Sequence, residues 1–370
     1  MAAMREGKVA VVTGAASDVG IGSVIARRFA RRQSGCSPVS MRLPAVLPCG
    51  FRRAPALLVA CLLAAPAMAI AQAWPTRPIR FVSGFPPGGT VDILCRALGV
   101  KMTESWGQPI VVENRAGAAG SLASDYVAKA PPDGYTLLLG TTATQSIAPL
   151  VYSKITYGDR DFTPVTTVAT VPLILIVHPS LPVRSVKQFI AFARARPDQL
   201  NYASTGTGAV PHLATEMLSR QAGLTMTHVP YKGAALAMSD LVSGQVSLMM
   251  DNAPTALPLV RSGRLRAIAV ASEQRIAQAP DLPTLAESGL PGFAVENWFG
   301  VLGPAGLPRD IVAKVNTEVH RIVALPDIRE RLMQQGMALA VSTPEAYMAR
   351  IRSDTAKWGG IVKATGVRID

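Results

Sequence analysis

Phe85-Pro86-Pro87-Gly88-Gly89-Thr90-Val91-Asp92 joins an apolar run at 79–84 to a helical pattern at 91–105. The segment therefore reads as strand, stiff turn, helix. Pro86 and Pro87 restrict the turn, and Gly88 and Gly89 let a backbone or a ligand approach closely. The first amides of a helix have no partner inside the helix, and its dipole is positive at that end, so the turn suits an anion. A plain strand-to-helix turn satisfies the same pattern. Asp92 falls in the first turn, where a carboxylate suits the dipole whether or not it meets a ligand.

A second turn of this kind runs from Asn201 to His212, with Ser204-Thr205-Gly206-Thr207-Gly208 at its centre. It offers hydroxyls as well as amides, and it lacks the third glycine of a dinucleotide fingerprint. His212 either bonds a ligand or caps the loop. Thr141 and Thr142 close another strand and add a third group of donors. Between these turns the chain alternates strands (79–84, 110–113, 136–141, 172–178, 200–204, 226–230, 246–251, 265–271) with helices (91–105, 121–130, 186–195, 212–221, 234–243). Such alternation argues for parallel sheets covered by helices on both faces. The C-terminal stretches 308–323, 326–335 and 344–365 read as helices opened by proline, with no strands to cross to. They are expected to pack back on the first lobe, with chain crossings near 171–179 and 297–304. Two donor-rich helix starts, one per lobe, would suit a small carboxylate in a cleft.

The chain of 370 residues carries a net charge of +13, with 49% hydrophobic and 16% charged residues. It is long enough for two lobes and too apolar for disorder. Residues 1–73 hold nine Lys/Arg and two Asp/Glu, and also three of the four cysteines, Cys36, Cys49 and Cys61. Beyond them the basic excess is scattered, without the runs or interleaved aromatics of a nucleic-acid surface. Within 41–73, Arg52 and Arg53 precede an apolar run from Ala54 to Ala71 with small residues near Ala69 and Ala73. That pattern predicts a signal peptide cleaved after Ala73. A lipoprotein signal at Cys61 is the alternative. Residues 8–32 resemble the opening of a short-chain dehydrogenase, with Thr13-Gly14 and Gly20-Ile21-Gly22. The glycine gap is too wide, no second unit follows, and the Tyr-x-x-x-Lys pair is missing, so residues 1–40 read as a fusion remnant or an upstream mis-start.

Beyond residue 73 the resemblance is specific. Trp74-Pro75-Thr76-Arg77-Pro78, the 85–92 turn, Val111-Val112-Glu113-Asn114-Arg115, Pro132-Asp133-Gly134-Tyr135 and the 201–212 turn are similar to the Bug family. So are His228-Val229-Pro230-Tyr231-Lys232-Gly233, Met250-Asp251-Asn252, Leu282-Pro283-Thr284 and Trp298-Phe299-Gly300. These are the receptors of tripartite tricarboxylate transporters. The resemblance covers residues 74–370 and implies an α/β, two-lobed periplasmic-binding-protein fold of the type II kind. It implies lobe 1 from 74–175 and 298–370, and lobe 2 from 176–297. It further implies a non-enzymatic periplasmic receptor, monomeric, without cofactor or metal, serving the membrane subunits of a transporter or a sensing role. The ligand would be a dicarboxylate, amino acid, tricarboxylate or aromatic acid. The positions it brings to the cleft are Phe85, Pro86, Pro87, Gly88, Gly89, Asp92, Thr141, Thr142, Ser204, Thr205, Gly206, Thr207, Gly208, His212, Tyr231 and Asp251. Two other readings stand beside it. One is an NAD(P)-dependent oxidoreductase fragment fused to a binding protein; the other is an interaction protein with a decayed cleft.

Overall fold

The structure, a computed structural model, describes residues 74–369. The dehydrogenase-like segment and the expected signal peptide lie outside the described residues. The chain opens β1 (Ile79–Ser83), α1 (Thr90–Trp106), β2 (Ile110–Asn114), α2 (Ser121–Ala128) and β3 (Thr136–Thr141). A π-helical turn (Ala143–Ile147) and a single helical turn, α3 (Ala148–Val151), lead to the long strand β4 (Phe162–Val177). There follow α4 (Val186–Arg194), β5 (Asn201–Ser204), α5 (Val210–Ala222), β6 (Thr227–Pro230), α6 (Ala234–Val242), β7 (Leu248–Asn252), α7 (Ala253–Arg261) and β8 (Arg266–Val270). The chain ends with β9 (Glu296–Pro304), α8 (Arg309–Ala324), α9 (Pro326–Gln334), the two-residue β10 (Ala338–Leu339) and α10 (Pro344–Thr365).

The fold turns on β4. Its first part, Phe162 to Pro172, pairs antiparallel with β9, and Thr170 and Ala169 pair with β10. From Leu173 onward the same strand pairs antiparallel with β7 and β8. One strand thus belongs to two sheets. The first sheet runs β2, β1, β3, β9, β4; the second continues β4, β7, β5, β6. Sixteen residues at about 3.3 Å each give the strand roughly 50 Å of reach, enough to cross both lobes. Pro164 lies at a register shift against β9, where a missing amide costs no ladder bond. The return passage is short: Val295 donates to the Ala271 carbonyl of the second sheet, and Asn297 already pairs with Val171 in the first.

Three expectations need correction. The sheets are mixed, because β9 is antiparallel to β3 and β4 is antiparallel to β7 and β8. The only parallel neighbours are β1–β2, β1–β3, β5–β6 and β5–β7 among the named strands. Residues 253–261, passed over between two strands, form the helix α7, with Pro254 in its first turn and Pro258 inside it. The C-terminal helices do have strands beside them: β9 precedes α8, and β10 lies between α9 and α10.

The core follows this layout. Ile79 and Phe81 of β1 meet Leu94, Leu98 and Met102 of α1 and Val315, Val319 and Ile322 of α8 in one buried cluster. A second cluster gathers Leu173, Leu175 and Val177 of β4 with Leu213, Leu218, Leu248 and Met250. The long helix α10 serves both lobes. Its Tyr347 and Ile351 pack with Val82, Leu138 and Trp298, whereas its Trp358 and Val362 pack into the second cluster.

Candidate functional site

The first turn is built by Asp92. This buried carboxylate accepts from the Gly88 amide at 3.1 Å and Arg96 Nε at 2.9 Å, while its other oxygen accepts from Asn114 Nδ2 at 3.1 Å. Asn114 Nδ2 also donates to the Phe85 carbonyl at 2.9 Å. Burial alone would raise the Asp92 pKa; the Arg96, Gly88 and Asn114 hydrogen bonds together hold it below its usual value. The price of that bracing is that Asp92 has no oxygen turned to the cleft. Gly88 sits at φ +84°, a left-handed conformation costly to other residues. Gly89 then caps α1 in an extended conformation with no side chain on the first amides.

The second turn is braced mainly from inside its own lobe, with one bond from Tyr152 of the first. Ser204 Oγ accepts from the Gly206 amide at 3.2 Å and lies 2.7 Å from His228 Nε2. His212 Nδ1 accepts from the Gly208 amide at 3.1 Å. The two imidazoles stack with centroids 3.9 Å apart, and Tyr202 stacks on His228 at 4.9 Å. Burial, and the neighbouring His228, push the His212 pKa down to about 3; burial pushes His228 down to about 4. Both rings are therefore neutral at physiological pH, which leaves Nδ1 of His212 free to accept. Tyr152 Oη donates to the Thr207 carbonyl at 2.8 Å. The helix α5 that follows begins after Ala209, again without a side-chain cap.

These turns line one narrow pocket between the lobes from opposite sides. From the first lobe its wall takes Phe85, Pro86, Gly89, Thr90, Val91, Thr141 and Ala143, with Asn297 and Phe299 of β9. From the second it takes Thr205, Ala209, Val210, Pro211, Ala234 and Asn252. The starts of α1, α5, α6 and α7 all reach this space, and none has a side-chain cap. Each helix start carries roughly half a positive charge. No charged side chain lines the cavity among the described residues. Two buried polar atoms of the wall have no partner: Thr90 Oγ1 and Asn297 Oδ1. An unpaired buried hydroxyl beside free helix amides is costly unless something accepts from it.

Five of the expected site residues form the wall: Phe85, Pro86, Gly89, Thr141 and Thr205. The others stand behind it. Pro87 and Gly88 complete the first turn, and Asp92 holds it. Thr142 Oγ1 accepts from the Trp298 amide at 3.0 Å, which ties β3 to β9. Ser204, Gly206, Thr207, Gly208 and His212 shape the second turn through the bonds above. Tyr231 Oη donates to Asp240 at 2.7 Å, within its own lobe. Asp251 is fully buried and accepts from Thr255 Oγ1; burial pushes its pKa up to about 6. Thr90, Val91, Ala143, Ala234, Asn252, Asn297 and Phe299 were not singled out by the sequence. Asn252 had a readable signal, since Asn followed by Ala-Pro is a helix start.

The sequence matches the family profile described as tripartite tricarboxylate transporter family receptor over residues 94–367. A UPF0065 protein from Pseudomonas sp., encoded between tcbD and tcbE, is 42% identical over 79% of this chain and 87% of the relative. The protein BugT of Bordetella pertussis is 36% identical over 81% of this chain and 92% of BugT. Among solved structures, Rpa4515 of R. palustris with adipate superposes with a TM-score of 0.78 at 38% identity, covering 80% of this chain and 99% of that one. MatC of Rhodopseudomonas palustris with bound malate gives 0.74 at 35% identity, covering 78% and 100%.

Proposed function

We propose, from the premise that this chain belongs to the tripartite tricarboxylate transporter receptor family, that it captures a small carboxylate between its lobes and delivers it without chemical change. One observation carries the reading. Four uncapped helix starts converge on a cavity that among the described residues holds no charged side chain, with the Thr90 hydroxyl unpaired at its wall. Fixed backbone dipoles can compensate an anion there at no cost in side-chain ordering. The relatives whose structures are solved with adipate and with bound malate point to the same class of guest.

In this reading Phe85, Pro86, Gly89, Thr90, Thr141, Thr205 and Ala234 touch the ligand. Pro87, Gly88, Asp92, Thr142, Ser204, Gly206, Thr207, Gly208, His212, Tyr231 and Asp251 act through them or hold their turns. Lobe 1 takes residues 74–172 and 296–369, and lobe 2 takes 173–295, supported by the change of strand partners at Leu173 and Val295. The receptor reaches the periplasm through a signal within 41–73 and works as a monomer with transporter membrane subunits. The oxidoreductase reading rested on residues 8–32, and the family profile begins at residue 94.

The test is mass spectrometry of protein purified natively from the periplasm. It reads the mature N-terminus and any retained acid together. Titration of the emptied protein with succinate, malate, adipate and citrate should then raise the unfolding midpoint for at least one acid, corresponding to about 2.7 kcal/mol of added unfolding free energy at a hundredfold excess over Kd. No shift with any carboxylate would leave the interaction-protein reading in its place.

A further inference from the structure

The cavity is not purely a donor site. Asn252, at the end of β7, and Asn297, at the start of β9, both line it, and they come from different lobes. Asn297 Nδ2 donates to Asn252 Oδ1 at 3.3 Å, and Asn297 Oδ1, on a residue 6% exposed, has no partner. Two amides joined by one N–H···O bond always leave one carbonyl oxygen and N–H donors over, whichever way the pair is turned. A carboxylate is acceptor-only and cannot satisfy that oxygen. The rest of the wall offers apolar surface from Phe85, Val91 and Phe299, and donors from the helix starts.

We propose that Asn297, paired with Asn252 across the lobes, is a specificity subsite that reads a hydroxyl beside the ligand carboxylate. The inference rests on the carboxylate reading above and narrows it to hydroxy acids. A ligand O–H donates to the leftover carbonyl and its oxygen accepts from the leftover amide, so both unpaired groups are used at once. An ammonium fits the place poorly. It brings no acceptor for the amide, and among the described residues no acidic side chain lines the cavity to balance its charge against four positive helix ends. A deoxy acid leaves the buried carbonyl unpaired, a cost that disfavours it.

The experiment is calorimetric titration of the mature protein with acids that differ by one hydroxyl. The pairs are succinate against each malate enantiomer, glutarate against each 2-hydroxyglutarate, and 3-phenylpropionate against each 3-phenyllactate. The expected result is that one hydroxy acid binds at least about tenfold tighter than its deoxy partner. Asn297→Leu should reduce that ratio to about one. Where that variant does not fold, Asn252→Ala, which removes the partner amide, should shrink the ratio, and the wild-type comparison stands without either. Equal binding within each pair, or a preference that survives loss of the Asn297 amide, overturns the subsite and leaves the carboxylate reading intact. Binding of none of these acids overturns both.

Discussion

Asp92 shows how a residue can matter to a ligand without touching it. Three donors from three parts of the chain, Gly88, Arg96 and Asn114, meet on one buried carboxylate. Asp92→Ala should strand the Gly88 amide and the Asn114 side chain and let the first turn relax. The expected loss is about 1–3 kcal/mol of stability, read by urea unfolding, with a weaker Kd for the retained acid. The sequence made the turn legible because its prolines and glycines are local signals. It did not show that Asp92 faces inward, because a carboxylate in the first turn of a helix fits the dipole in either orientation. Asn297 was hidden for a different reason. Its meaning depends on Asn252, forty-five residues away and in the other lobe.

At the scale of elements, the paired imidazoles of His212 and His228 tie β5, α5 and β6 into one loop support, and they should respond to acid. Their folded pKa values, about 3 and about 4, lie below the usual 6.5. Between about pH 6.5 and 4 the unfolded chain therefore binds two protons that the folded chain refuses. Stability is present above 6.5 and falls as pH falls, by up to about 1.4 kcal/mol per pH unit for each ring. Asp251, pushed up from 3.8 to about 6, takes its proton in the folded state first and offsets one of the two. The midpoint of unfolding should thus drop between pH 7 and pH 5, and His228→Gln should flatten that slope in a series of thermal melts. Helix α10 gives a second element-scale prediction. Trp358 is 2% exposed in the second lobe's core although its helix begins against the first. Trp358→Ala should cost about 3–5 kcal/mol in denaturant unfolding. Elements with a clear period were legible in advance, as α1 and β1 were. The first half of β4 was not, because Pro164 and Pro172 interrupt an otherwise Thr- and Val-rich strand. α7 was missed for the same reason, since Pro254 and Pro258 disguise a helix.

At the scale of the whole molecule, two lobes were expected from the repeated strand–helix series, with crossings near 171–179 and 297–304; the strand partners change at Leu173 and between Val295 and Asn297. The mixed sheets depend on pairing between distant segments, which no local pattern encodes. The contact between lobes can be tested at one atom. Gly233, the residue before α6, has φ +115°, and a Cβ placed there would come within 2.6 Å of Pro86 Cδ in the opposite lobe. Pro86 is a rigid ring in the ligand turn, so it has no flexible end to move aside. Gly233→Ala should therefore hold the lobes apart. The expected outcome is a Kd at least about tenfold weaker and a radius of gyration that no longer shrinks on adding ligand in solution scattering. Backbone strain alone must be separated from this, because alanine at a positive φ costs of order 1–3 kcal/mol even where its Cβ meets nothing. Gly223 supplies the control: it has φ +61° at the end of α5, and a Cβ there meets nothing within 4 Å. Gly223→Ala should lower the unfolding midpoint while leaving ligand-driven compaction in place. If both variants still compact on binding, the Pro86–Gly233 contact does not gate closure.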